Sequence, residues 1–275
     1  MTKASAMQPP SVEHDRLQAH DLSEAHIANE RTRHDAKYAA MVAIGERAVS
    51  AGDEYQPRDI RAALLYALTQ LGDVRDQRVL ELGSGLGWTA IVLAHRGAHV
   101  LATDVSSRSI EVIERRVVVS GVADRVQARV MAAEHLAQPD ASVDHIFGQA
   151  VLHHLELAEA LGECERVLRP GGRAVFLEPL SENPVLDFIR DYLPYREKKS
   201  PKGHRGIDRA RVQRTDTSFA TTHIRPFYLT SMVNRAFGYS VSITPLERLD
   251  DWLLHRMPPL GRLCRYCVVT YVTAG

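Results

Sequence analysis

Val79-Leu80-Glu81-Leu82-Gly83-Ser84-Gly85-Leu86-Gly87-Trp88-Thr89-Ala90 is the stretch on which the fold turns. A short apolar run enters three glycines spaced GxGxG and leaves directly into a helical pattern. Glycines at such a strand-to-helix turn let the backbone approach a bound ligand with no Cβ in the way, and aim N–H groups at it. A dinucleotide-binding fingerprint wants its third glycine where this chain has Trp88. Two acids frame the loop: Glu81 inside the run, and Asp104, 17 residues beyond Gly87, at the end of the next run. A carboxylate at a second strand's end can accept both hydroxyls of a ribose, which nicotinamide and adenosyl cofactors share, so Asp104 alone leaves both open.

Outward from this loop, apolar runs at 79–82, 99–103, 125–131, 144–148 and 173–178 alternate with helical patterns at 88–96, 107–120 and 155–168. Strands alternating with helices of about 10 to 15 residues predict βαβ units and a parallel sheet, with ligands at the carboxyl ends of the strands. Ahead of the loop, 36–51 reads as an Ala-rich helix ended by Gly52. A second helix follows, with Pro57 at its first turn, Ile60, Ala63, Leu64, Ala67, Leu68 and Leu71 along one face, and Gly72 behind it. Behind Pro179 the alternation stops: 181–225 reads as an insertion with one helix, 185–192. A helix is expected at 229–237 and strands at 240–246 and 263–273. The organisation expected is an N-terminal helical cap, 1–75, and an α/β domain, 76–275, carrying the insertion as a lid.

Composition narrows the function. The 275 residues carry 34 basic and 34 acidic side chains, and this zero balance argues against a general nucleic-acid binder. No apolar run approaches the length of a membrane span and the first residues lack a signal-peptide core, so a cytoplasmic protein is expected. Three cysteines, Cys164, Cys264 and Cys267, fit a reducing compartment, and Cys264 and Cys267 are expected to be inert. Among 13 histidines, His14, His20 and His26 recur every six residues, which scatters them around a helix, and no HExxH is present, so no metal site is expected.

Four ordered segments carry a resemblance. Glu81 to Gly87, then Pro139-Asp140-Ala141-Ser142-Val143-Asp144, Val151-Leu152-His153-His154-Leu155 and Val167-Leu168-Arg169-Pro170-Gly171-Gly172, are similar to motifs of class I S-adenosylmethionine-dependent methyltransferases, the small-molecule group related to the ubiquinone and menaquinone methylases. The resemblance implies a Rossmann-like doubly wound sheet of about seven strands, mostly parallel with an antiparallel last strand. It also implies S-adenosylmethionine as cofactor, held by Glu81, Gly83, Ser84, Gly85 and Gly87, with Asp104 on the ribose, Val105 on the adenine, Ala133 offering its N–H to the adenine edge and Gln149 its carbonyl to the cofactor's amino group. Where relatives carry an acid ahead of that alanine this chain has Ala132, so that either Glu134 substitutes or the contact is lost.

Methyl transfer to a hydroxyl needs a base near the ends of strands four and five, and His153 and His154 stand there, His154 preferred. Glu178 closes strand five at the cleft. On the lid side, His34 and Tyr38 enter the Ala-rich helix, Tyr38 offering an aromatic face to a sulfonium, and His223 is a further lid candidate. From Arg190 to Arg214 nine basic residues face three acids, which suits a small anionic acceptor if part of the run lines the cleft. Oxygen is the expected acceptor atom, in secondary-metabolite biosynthesis. Transfer to nitrogen, carbon or a carboxylate, a non-methylating protein that keeps the cofactor fold, and a nicotinamide oxidoreductase are the alternatives.

Overall fold

A computed structural model describes residues 12–39, 41, 47–50, 60–192, 205–215, 217–235 and 244–275. The glycine-loop strand, β1 (Arg78–Leu82), is followed by α3 (Trp88–His95), β2 (His99–Asp104), α4 (Ser107–Val119), β3 (Val126–Val130), β4 (Val143–Gln149), α5 (Leu157–Val167) and β5 (Leu168–Pro179). Ahead of it lie α1 (Val12–Ala39) and α2 (Arg61–Leu71). Behind it come α6 (Pro184–Tyr192), α7 (Arg209–Arg214), β6 (Thr221–Phe227), α8 (Thr244–Arg256) and β7 (Tyr266–Val272).

The seven strands form one sheet in the order β3-β2-β1-β4-β5-β7-β6. β1 to β5 are parallel, and β7 runs antiparallel to β5 and to β6. Residues that alternate along a strand feed two cores. Val79, Phe147, Val175 and Val268 pack with α2, α3 and α4, while Leu80, Ile146, Phe176 and Val269 pack with α5. Burial on both faces explains why the central strands read as apolar runs rather than as polar-apolar alternation. α2 lies against β5 and β7 within the first of these cores. α4 starts where the Ser106 side chain accepts from Ser109 N–H, and Gly72 stands behind α2 with φ +81°, a backbone conformation that favours glycine.

The alternating region follows its sequence pattern closely, and the flanks differ. α1 begins at Val12, well ahead of the helix expected at 36–51. Residues 47–50 are not helical, and 40, 42–46 and 51–59, Pro57 among them, lie outside the described residues. Of the strand expected at 240–246, residues 244–246 open α8 and 240–243 lie outside the described residues; the sheet takes β6 from the end of the segment read as an insertion. Ser231–Arg235 forms a 3₁₀ turn inside the helix expected at 229–237, of which 236 and 237 lie outside the described residues. Cys264 precedes β7, and it, Cys267 and Cys164 are free thiols buried in one apolar cluster.

The strand order reverses between β1 and β4, so a crevice opens outside their carboxyl ends. Register carries the loop after β1, Asp104, Gln149 and Glu178 to that same edge.

Candidate active site

Gly83, Gly85 and Gly87 have φ of +62°, +55° and +69°, the left-handed region where L side chains are strained. A Cβ on Gly83 would stand 2.7 Å from Val151 Cγ2 and one on Gly87 2.9 Å from Ile113 Cγ1. The loop is tied to its neighbours. Gly85 N–H donates to Asp104 Oδ2 at 2.9 Å, Ser106 N–H donates to Asp104 Oδ1 at 2.9 Å, the Ser109 hydroxyl donates to Gly85 O, and Arg116 Nη1 donates to Leu86 O at 2.9 Å. Asp104 is thus held rigidly, with each carboxylate oxygen retaining a second lone pair for a ligand. Glu81 is buried beneath the loop. Burial pushes its carboxyl up to about 8, against the opposing pull of hydrogen bonds from Ser84, Thr89 and Ala90, and its Oε2 has no partner.

Beyond β3, Ala133 and Glu134 are buried. Glu134 Oε1 accepts from Glu156 N–H at 3.2 Å, Oε2 is buried without a partner, and burial raises the carboxyl above its ordinary value. Val105 and Gln149 are half-buried at the ends of β2 and β4.

At the ends of β4 and β5 the two histidines part company. Glu178 is fully buried; Oε1 accepts from Val151 and Leu152 N–H at 2.8 and 2.9 Å, and Oε2 lies 2.7 Å from His153 Nδ1. A carboxylate only accepts, so Nδ1 carries the proton and Nε2 is the basic nitrogen of His153. The His154 ring stacks obliquely on it, centroids 4.0 Å apart, and points to α1 instead. Arg33 Nη2 is 3.1 Å and Glu30 Oε2 3.3 Å from His154 Nδ1, and His26 Nε2 meets His154 O at 2.5 Å.

α1 lies across these loops. Glu24 pairs with His135 at 3.2 Å, and Asp35 Oδ1 accepts from the Ser106 hydroxyl at 2.5 Å and from Arg108 N–H at 3.4 Å. Tyr38 is 5% exposed, and its hydroxyl stands 2.9 Å from where a Cβ on Gly85 would be. Burial raises the Tyr38 phenol and lowers the His34 imidazole from their ordinary values, and the two rings lie 5.7 Å apart. Tyr38, His34, Glu178, His153 and His154 therefore meet at one crevice with the glycine loop. His223 does not: it is exposed on β6, the outer edge strand, opposite Thr270. Of the basic run, Arg205 pairs with Asp187 and Arg209 with Glu182, while Arg211 Nη2 reaches Leu155 O, next to His154, at 3.3 Å. Residues 196–202 lie outside the described residues.

Sequence reading passed over Glu30 and Arg33, and weighed His26 only as a metal ligand. The available signal was spacing: Glu30, His34 and Tyr38 recur every four residues, one face of a helix.

An adenosyl cofactor fits what is present. The glycines leave the backbone bare, Asp104 is a pre-set ribose acceptor, and the unpartnered Glu134 Oε2 is an acceptor in need of a donor such as an amino group. Residues 80–176 match the family described as a methyltransferase domain. This part of the chain is a methyltransferase domain. The chain is 34% identical over 116 residues to a ubiquinone biosynthesis O-methyltransferase of Leptothrix cholodnii, covering 42% of this chain and 48% of that one. To a demethylmenaquinone methyltransferase of Clavibacter sepedonicus it is 36% identical over 129 residues, 46% and 51% of the two chains. The chain spans about half the length of these relatives. The fold is that of the geranyl diphosphate C-methyltransferase of Streptomyces coelicolor in complex with Mg²⁺, geranyl-S-thiolodiphosphate and S-adenosyl-L-homocysteine. The TM-score is 0.57, with 16% identity over 78% of this chain and 76% of that one. Among the described residues no helix is long and apolar enough to cross a membrane.

Proposed function

We propose that the chain transfers a methyl group from S-adenosylmethionine to an oxygen of a small molecule, with His153 as the base. One observation carries this: the left-handed glycine loop, Asp104 and the His153–Glu178 pair converge on the switch-point crevice under one helix. The cofactor, when bound, supplies a methyl group on a positively charged sulfur. Gly83, Ser84, Gly85 and Gly87 hold its methionine part, and Asp104 accepts from the ribose hydroxyls. Val105, Ala133 and Glu134 bound the adenine, Glu134 standing in for the acid absent at 132, and Gln149 offers its carbonyl to the amino group.

His153 would take the acceptor hydroxyl's proton on Nε2, leaving the oxygen as nucleophile for the methyl group that the bound cofactor would supply, with the cofactor's sulfur as leaving group. Glu178 keeps Nδ1 protonated and stabilises the imidazolium that forms. This assigns to His153 the role that sequence position alone favoured for His154. Tyr38 closes over the loop and excludes water. Arg211 and the basic segment before it favour an anionic acceptor. The three buried free thiols suit a reducing cytoplasm.

Calorimetry with S-adenosylhomocysteine and with NAD tests the cofactor. One S-adenosylhomocysteine per chain is expected, weakened at least tenfold in Asp104→Ala; binding of NAD alone overturns the reading. Methyl-labelled cofactor offered with phenols, carboxylates and amines then identifies the acceptor atom, and a product methylated only at nitrogen or carbon removes the oxygen assignment.

A further inference from the structure

Glu30, His34 and His154 bring three donor atoms to one point beside the crevice, all within 4.8 Å of one another. Glu30 Oε2 lies 3.4 Å from His34 Nε2 and 3.3 Å from His154 Nδ1. Metal–ligand bonds of about 2.0–2.1 Å in a tetrahedron separate the donors by about 3.3 Å, so two of the three edges already have that length. Arg33 Nη2 contacts the same donors, 2.6 Å from Glu30 Oε2, 3.3 Å from His34 Nε2 and 3.1 and 3.4 Å from Nδ1 and Nε2 of His154, over whose ring it lies. A cation is thus already drawn to this point. The Arg33 side chain is 41% exposed, so side-chain rotation can carry its guanidinium into solvent.

The donor set selects among metals. Two imidazoles and one carboxylate suit zinc and its neighbours, whereas Mg²⁺ and Ca²⁺ prefer shells of oxygen. The spacing is also apt: Glu30 and His34 are one helical turn apart on α1, and His154 comes from the turn after β4.

We propose that Glu30, His34 and His154 hold one divalent transition-metal ion of the zinc kind, with Arg33 engaging the same three residues in its absence. The ion ties α1 to the carboxyl end of β4. Three protein ligands leave a coordination position for water or an oxygen-bearing ligand. The proposal does not rest on the methyl-transfer reading.

Titration of ZnCl₂ into the metal-stripped full chain tests it, with melting curves recorded alongside. The wild type is expected to bind one ion and to melt at a higher temperature with it. Glu30→Gln and His34→Ala are expected to bind at least tenfold more weakly and to lose the zinc-dependent rise in Tm. Arg33→Ala removes the competing guanidinium and is expected to bind severalfold more tightly, which a scaffold role for Arg33 would not produce. Sub-stoichiometric binding by the wild type, undiminished binding by Glu30→Gln and His34→Ala, or unchanged or weaker binding by Arg33→Ala each overturns the proposal.

Discussion

His153 and His154 are neighbours in sequence and unlike in surroundings. His153 is buried against a fully buried carboxylate, whereas His154 shares Glu30 and Arg33 with the lid helix. Base chemistry at His153 predicts that His153→Asn lowers kcat by about 10² to 10⁴. S-adenosylhomocysteine affinity should stay within a few-fold, because His153 is not among the proposed cofactor contacts. An unaltered kcat with any turned-over acceptor would remove His153 from the chemistry. Glu178 acts through His153 and is a positioning residue, so its test is rescue by the conservative variant. Glu178→Gln removes the carboxylate that fixes the Nδ1 proton and is expected to lower kcat by about 10², while Glu178→Asp is expected to restore part of kcat with KM little changed. An equal loss in the two variants would make Glu178 a scaffold for Val151 and Leu152 only. The residue types of this pair were legible in the sequence. Which histidine receives the carboxylate was not, because Glu178 lies on β5, 25 residues beyond His153, and only the sheet register brings the two together.

At the scale of elements, what the sequence disclosed depended on burial. β1 to β5, with the helices between them, bury apolar surface, and their apolar runs and helical patterns were readable to within a few residues. α1 has only a sparse apolar pattern: of its residues 24–39 just Ile27 and Tyr38 are buried, and hydrogen bonds and ion pairs tie it to the loops and to the start of α4. A helix stabilised that way gives no hydrophobic period, so only its Ala-rich end was visible. β6 was hidden for a related reason. As an edge strand with no buried residue and with Pro226 inside it, it lacks the alternation that Ser240-Val241-Ser242-Ile243-Thr244 displays. The polar attachment of α1 yields a prediction. Asp35→Ala removes a carboxylate from the N-terminus of α4 and the acceptor of the Ser106 hydroxyl, together about 1 kcal/mol. Because that attachment docks one helix, global stability should change little, while amide hydrogens of α1 between 24 and 38 exchange severalfold faster. Unchanged exchange there would mean that α1 is held by its other end, through Glu24 and His26.

For the whole molecule, zero net charge is a sum over unlike parts, since the acids that matter most are those the fold keeps from ionising. Glu81 lies fully buried where α3, β1 and the glycine loop meet, and burial raises its carboxyl from 4.5 to about 8. The folded chain therefore retains a proton at Glu81 that the unfolded chain releases near 4.5, and between these values it binds more protons than the unfolded state. Stability from this group is full below about 4.5 and is lost as pH rises towards 8. Glu134, raised by burial, adds in the same sense. Glu163, lowered by its hydrogen bond with Arg166, acts in the opposite sense, but only below 4.5 and so outside this window. Glu81→Gln keeps the shape and abolishes the titration. In the ligand-free protein, wild-type Tm should fall between pH 5 and 8 more steeply than that of Glu81→Gln. A divergence of several degrees is expected, since about 1 kcal/mol moves Tm by roughly 2–4 °C in a domain of this size. Below pH 4.5 the two curves should run parallel. Parallel curves across the whole window would mean that Glu81 folds ionised, and the loop above it would then have to supply the donors that Oε2 now lacks.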